Sequence, residues 1–186
     1  MKFLNEHYTV VASVETTPQL SLYDIIHNPE NIDTTDFFMA RTFEVIPSSG
    51  HSLRIALLDR VVTNHSPYAL LEGDLLTTIL FDAIVRLDLT TGHIVHSVYC
   101  DNIGGLFELH TIQGGYLIRG ESEIFRYDTD LRQIWSFSGR DIFFSPFTDK
   151  SFWITDNRIY CRDFLGWQYI LDTDGNLVED FCEFKA

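Results

Sequence analysis

Gly115-Tyr-Leu-Ile-Arg-Gly-Glu-Ser-Glu-Ile-Phe-Arg-Tyr-Asp-Thr-Asp-Leu-Arg-Gln-Ile-Trp-Ser-Phe137 reads as three short strands separated by two tight turns. Tyr116 to Arg119 is a run of strand-favouring residues. Gly120-Glu121-Ser122-Glu123 turns the chain, because Gly tolerates positive φ and Ser bonds its own backbone. Ile124 to Tyr127 alternates, with Phe125 and Tyr127 on one face and Ile124 and Arg126 on the other. Asp128-Thr129-Asp130 breaks the strand, and the Asp128 carboxylate is placed to accept a hydrogen bond from the backbone N–H two residues on. Gln133 to Phe137 returns as a last strand weighted with Trp135 and Phe137. Upstream, Leu106 to Ile112 is a further strand, with Gln113-Gly114-Gly115 as its turn. The result is four antiparallel strands in about forty residues, the make-up of one unit of a β repeat.

Worn copies of this unit flank it. Ile84, Ile124 and Ile159 each stand four residues before an aspartate, Asp88, Asp128 and Asp163, and the anchors are 40 and then 35 residues apart. Arg86 and Arg126 share the place two residues before the anchor, where the third copy has Cys161. The shared frame predicts that the three aspartates are equivalent turn residues. Asp88-Leu89-Thr90-Thr91-Gly92-His93, with the strand after it, resembles the turn of quinoprotein-type propeller repeats. In that family an Asp is followed by Thr-Gly, a basic residue and a docking Trp. Asp88, Thr91, Gly92 and His93 fit, and His96 stands in the Trp place. The second copy keeps Asp128 and has Trp135 one place early, without Thr-Gly; the third keeps Asp163 and Gly166 in a shorter turn. The resemblance covers about residues 75 to 172 and implies four-stranded blades. It carries over no quinone site.

The rest of the chain is also strand-rich. Strands are expected over His7 to Val14, Phe37 to Ile46 and Leu53 to Val62, with Pro47-Ser48-Ser49-Gly50 as a turn and Asn64 to Pro67 as a break. Leu20 to His27 suits either a short helix or an extended piece, ended by Asn28-Pro29. Leu75 to Phe81, Ile84 to Asp88 and His93 to Tyr99 form the first recognisable copy. Ile142 to Ser145, Phe152 to Thr155, Arg158 to Asp163, Gln168 to Leu171 and Leu177 to Phe184 follow the central unit. Residues 1–186 are therefore expected as a single all-β domain, with blade-like repeats over 75–172 and a divergent part over 1–74. The expected fold is a set of antiparallel four-stranded blade-like sheets forming a small or incomplete β-propeller, with a two-sheet β-sandwich as the alternative.

Composition excludes several classes. A hydrophobic share of 45% with 14% aromatics is incompatible with a disordered chain. The net charge of −14 has the wrong sign for binding phosphates, so no nucleic acid is expected. No run of about eighteen apolar residues suggests a membrane span, and Asn5, Glu6 and His7 cut the apolar start, unlike a signal peptide. Cys100, Cys161 and Cys182 form no CxxC pair, which points to reduced thiols and a cytoplasmic protein.

No reaction is legible. Asp172-Thr173-Asp174-Gly175-Asn176 has oxygens at alternate positions like a calcium loop, but Gly stands fourth and the better reading is a hairpin turn. His93 and His96, three apart on a strand, are expected on opposite faces and so make no metal pair. The scattered His and Cys residues lead to an expectation of no metal, no cofactor and no catalytic residues. Trp135, Trp153 and Trp167 are the candidate binding residues, as stacking platforms or protein anchors; residues of this kind also fill the space between sheets. Trp167 is expected in a turn and exposed. The function expected is a non-enzymatic protein-binding module with an acidic surface for a basic protein partner. In charge and size it is similar to immunity proteins that block a basic toxin. The alternative is a carbohydrate- or small-ligand-binding module, or a hydrolase with a carboxylate and aromatic site.

Overall fold

The structure, a computed structural model, describes residues 1–61, 65–101, 104–145 and 150–183. Its strands group into two compact units, Met1–Cys100 and Asp101–Ala186. The first unit holds two sheets. β1 (Lys2–Leu4), β2 (Tyr8–Glu15), β3 (Ile25–His27), β4 (Met39–Pro47) and β5 (Leu53–Asp59) form a five-stranded sheet in the order β1-β2-β4-β5-β3. Its neighbours are antiparallel except β3, which runs parallel to β5. β6 (Ala69–Glu72), β7 (Leu75–Ile79), β8 (Ala83–Asp88) and β9 (His93–Tyr99) follow as an antiparallel meander.

The second unit repeats the meander twice. β10 (Leu106–Ile112), β11 (Gly115–Gly120), β12 (Glu123–Asp128) and β13 (Gln133–Ser138) form one sheet; β14 (Phe152–Thr155), β15 (Arg158–Arg162), β16 (Trp167–Asp172) and β17 (Leu177–Cys182) form the other. Burial follows position within each sheet. β11 is buried along its length and β12 at its centre, as strands covered on both faces must be, whereas β13 alternates between exposed and half-buried. The core between these two sheets joins Leu117 and Ile124 to Phe152, Ile159, Tyr169 and Leu171. Each such side chain contributes about 1.5–3 kcal/mol when fully removed from water.

The repeat is marked by a bulge. Registers shift between Arg86 and Leu87, between Arg126 and Tyr127, and between Ile170 and Leu171, always where the third strand of a meander meets the fourth. Asp88, Asp128 and Asp172 end those third strands. Each Oδ1 accepts the backbone N–H two residues on, from Thr90, Asp130 and Asp174, at 2.7, 2.9 and 3.0 Å. The third anchor is thus Asp172 and not Asp163, and the spacings are 40 and 44 residues. Asp163 follows β15, a second strand, and closes the turn to β16: it accepts the Trp167 N–H at 2.8 Å and the Tyr169 hydroxyl at 2.6 Å. An aspartate closes both kinds of hairpin, so the Ile-x-x-x-Asp frame does not tell them apart. The Asp172 segment is the β16–β17 turn.

Other expectations need correction. The bulge lies on β9, so His93 and His96 pair with Asp88 and Arg86 and share a face, contrary to simple alternation. Ile142 to Ser145 forms no strand; Phe143 is instead a plug in the core, its N–H donating to the Glu121 carbonyl at 2.6 Å. Leu20 to His27 divides into a 3-10 turn at Leu20–Leu22 and the strand β3. β1 and β6, of three and four residues, are too short for a periodic pattern to announce. The expected strand ends at Val62 and Phe184, and Asn64, lie outside the described residues. No helix among the described residues is long and apolar enough to cross a membrane.

Two glycines show how sheets dock within each unit. Gly92, at φ +73° in the β8–β9 turn, would place a Cβ 2.5 Å from Leu53 and 2.6 Å from Ile25 of the first sheet. Gly175, at φ +87° in the β16–β17 turn, would place one 2.6 Å from the Trp135 ring of the neighbouring sheet. Real Cβ atoms do not come so close, so both turns seat their backbone directly on the adjoining sheet.

Candidate functional site: an aromatic face and two buried arginines

The three tryptophans all belong to the second unit, in three different settings. Trp135 pairs across the bulged edge with Arg126, and its indole N–H donates to the Thr173 carbonyl at 3.3 Å. Packed on Gly175, it is a docking residue between sheets, as the propeller resemblance implies. It also walls a recess of about 300 Å³ shared with Arg126, Gln113, Asn157 and Asp174. The Arg126 guanidinium there is held by the carbonyls of Gln113, Tyr116 and Tyr127.

Trp167 opens β16 instead of standing in the turn. The Arg140 guanidinium lies 3.5 Å from its ring centroid and pairs with Asp180 at 2.8 Å, so the indole is half-buried and packed against the core. Trp153 is different. It pairs with Tyr160 across β14 and β15, the two rings stacked 4.9 Å apart at 3°. Alternation puts this pair on the side of the sheet opposite Phe152, Ile159 and Cys161, the core side. Both rings remain half-exposed. Lys150 and Arg162 stand over Trp153 at 5.5 and 5.2 Å, and Arg162 is fixed in turn by Gln168 and by Glu183 at 3.0 Å. The row from Trp153 runs through Tyr160 and Ile170 to the exposed Glu179.

Each unit also buries an arginine against carboxylates. In the second, Arg119 grips Glu108 Oε1 through Nε at 2.9 Å and Nη2 at 2.7 Å, and donates from Nη1 to the Phe143 carbonyl. His110 Nε2 meets the other Glu108 oxygen at 2.9 Å. Burial pulls the Glu108 carboxyl upward, but the bonds from His110 and Arg119 and the Arg119 charge outweigh it and hold the group below its usual range.

In the first unit, Arg41 Nε approaches Asp59 Oδ2 only to 3.8 Å, with both side chains essentially inaccessible. Arg41 lies over the Tyr68 ring at 4.5 Å. The Phe81 N–H spans both Asp59 oxygens at 3.2 and 3.1 Å. Glu30, its side chain 4% exposed, faces Arg60 at 3.6 Å. Among the described residues, Arg41 Nε and Nη1 and both Glu30 oxygens make no hydrogen bond of good geometry. Burial drives the Asp59 carboxyl up to about 7. These clusters escaped the sequence analysis. The signal was a charge set inside or at the end of an apolar strand, as in Leu53-Arg-Ile-Ala-Leu-Leu-Asp59 and Tyr116-Leu-Ile-Arg119.

No protein-family model matches the chain, and no curated protein does. Among solved structures it is similar to BamB from Moraxella catarrhalis, at 10% identity and a TM-score of 0.46, over 80% of this chain and 48% of that one. It is also similar to Raptor from Chaetomium thermophilum, at 11% identity and a TM-score of 0.52, over 79% of this chain and 15% of that one. The chain therefore spans about half the length of the first (48%) and a small part of the second (15%). At such identities a likeness bears on fold alone, and it agrees with the sheets: the chain is all-β, with antiparallel four-stranded blades of the β-propeller kind.

Proposed function

We propose that the chain is a protein-binding module whose partner is basic. The observation that carries this reading is the Trp153–Tyr160 stack, rigidly supported yet half-exposed on the side of β14–β17 away from the core. Stacked aromatics lose little side-chain freedom on docking and are the residues on which interface affinity concentrates. Glu179, exposed at the end of the same row, offers a carboxylate at its rim. The net charge of −14 adds a long-range field that speeds association with a positive surface and fades as salt rises. A basic toxin is the partner class that the likeness to immunity proteins suggests, and a toxin gene beside this one would support it.

The test is capture of the partner from the native cell followed by binding kinetics at low and high salt. Trp153→Ala is expected to weaken binding about tenfold or more, mainly through faster dissociation. Glu179→Gln should slow association at low salt only. Unchanged affinity in Trp153→Ala would remove the site, and an association rate indifferent to ionic strength would remove the basic partner.

The recess beside Trp135 favours a second reading, a small polar ligand such as a sugar stacked on the indole between Arg126 and Asp174. A saccharide that shifts the tryptophan emission of the wild type but not of Asp174→Ala would favour it.

A further inference from the structure

The Glu30–Arg41–Asp59 cluster sits where the two sheets of the first unit meet. Arg41 lies on β4 and Asp59 ends β5, in the first sheet. Glu30 comes from the segment between β3 and β4. The Phe81 N–H that Asp59 accepts belongs to the β7–β8 link of the second sheet. The Arg41 guanidinium thus faces Asp59 in a space that water does not reach, and the buried Glu30, which faces Arg60 at 3.6 Å, adds its charge to Asp59. With all three charged, two nitrogens of Arg41 and both oxygens of Glu30 would be desolvated without hydrogen bonds to offset the loss. A buried ion pair so incompletely bonded is relieved by neutralising one member. Arginine does not give up its proton, so the neutral member is a carboxyl.

We propose that the Glu30–Arg41–Asp59 cluster is a proton-binding site that couples the docking of the two sheets of the first unit to pH. Asp59 is the main holder of the proton. Its burial is the dominant cause; the Glu30 charge adds to it, while the Arg41 charge and the amides of Phe81 and Arg60 act against it without cancelling it. Glu30 is raised too, by burial and then by the Asp82 charge, with the Asp82 amide and Arg60 opposing. The remaining groups around the cluster are Tyr68, whose ring covers Arg41, and Tyr99, whose hydroxyl bonds Asp82 at 3.3 Å.

The sign follows from the raised Asp59 group. Between the ordinary carboxylate value of 3.8 and about 7, the folded unit binds a proton that the unfolded chain has released. The stability this confers is complete below the ordinary value and is lost as pH rises through about 7. Ionised Asp59 is then desolvated beside a poorly bonded Arg41 and repelled by the Glu30 charge. The Phe81 N–H bonds the carboxylate more strongly than the carboxyl, but it does not offset the desolvation. Opening the junction and letting water reach Asp59 therefore becomes easier as pH rises.

The experiment uses the full chain and two readouts. Side-chain carboxyl carbon resonances of Asp59 and Glu30 are followed by NMR through the pH range. Amide exchange, corrected for its intrinsic pH dependence, is compared for β4, β5 and Phe81 at about pH 6 and about pH 8. Asp59 is expected to titrate near neutrality, and protection in these segments to fall about tenfold or more at the higher pH. Glu30→Gln, which keeps the shape and removes a negative charge, should move the Asp59 midpoint to lower pH and flatten the change in protection. If that variant fails to fold, the wild-type titration still decides. An Asp59 resonance already ionised at about pH 5, or protection in β4 and β5 that does not change with pH, would overturn the proposal.

Discussion

The two units bury the same chemical pair in different ways. Arg119 and Glu108 meet as fork and acceptor at 2.9 and 2.7 Å, with His110 on the second oxygen and a carbonyl on the third guanidinium nitrogen. Arg41 and Asp59 meet at 3.8 Å with two guanidinium nitrogens unbonded. Their carboxyls respond in opposite directions: Glu108 is held below its usual range and Asp59 is raised to about 7. Burial alone therefore does not decide whether an arginine–carboxylate pair stabilises a fold. Completed hydrogen bonds make the first a fixed ion pair, and missing ones make the second a titrating group.

The sharpest way to break this contrast is to remove each arginine. Arg119→Met strips Glu108 of its bidentate partner and is expected to destabilise the second unit by about 3 kcal/mol. Arg41→Met should destabilise the first unit by roughly 1 kcal/mol or less near pH 6, since Asp59 already holds a proton there and the methionine fills the space. All three tryptophans lie in the second unit, so their fluorescence follows its unfolding in urea, while amide exchange follows the strands of the first. Equal losses in the two units would erase the distinction drawn from the hydrogen bonds.

The second comparison concerns the docking turns. Gly175→Ala drives a Cβ into the Trp135 ring, which is tied by its N–H to Thr173 and cannot swing aside. Gly92→Ala meets only the tips of Leu53, Ile25 and Ile55, which have rotamer freedom. Both pay the left-handed backbone strain of about 1 kcal/mol, and overpacking adds roughly 1–2 kcal/mol at Gly175 but less at Gly92. Urea midpoints of the two variants test the order. A larger loss for Gly92→Ala would show that the aliphatic side of the first unit is the more rigid seat.

The same elements show what the sequence could and could not tell. The strands of the three meanders, β6 excepted, were legible because alternation and aspartate turns are local properties, written into four to seven residues at a time. The bulges were not, since an extra residue leaves no mark until two strands are paired; hence the parity of His93 and His96 came out inverted. Trp135 could be placed in the repeat, but not against Gly175, which lies 40 residues further on. The buried arginines were hidden for the opposite reason. Arg41 and Arg119 look like ordinary surface charges until the strands around them are covered on both faces.

The smallest effects test the repeat itself, within the second unit. Asp128 and Asp172 hold the same kind of turn: each Oδ1 accepts N–H groups two and four residues on, at 2.9 and 2.8 Å for Asp128 and at 3.0 and 2.8 Å for Asp172. Both are partly exposed, so water replaces the lost acceptor, and Asp128→Ala and Asp172→Ala should each lose about 1 kcal/mol. Asp163 is buried, and its removal strands the Tyr169 hydroxyl and the Trp167 N–H where water does not reach. Asp163→Ala should therefore lose about twice as much. Asparagine keeps an acceptor oxygen, so Asp128→Asn and Asp172→Asn should recover most of the loss. Asp163→Asn should recover less, because the Tyr169 hydroxyl then bonds a neutral amide group in place of a carboxylate. Tryptophan fluorescence in urea measures all six variants. If Asp163→Ala instead behaves like Asp128→Ala and Asp172→Ala is silent, the turn bonds of Asp172 do not carry the stability assigned to them.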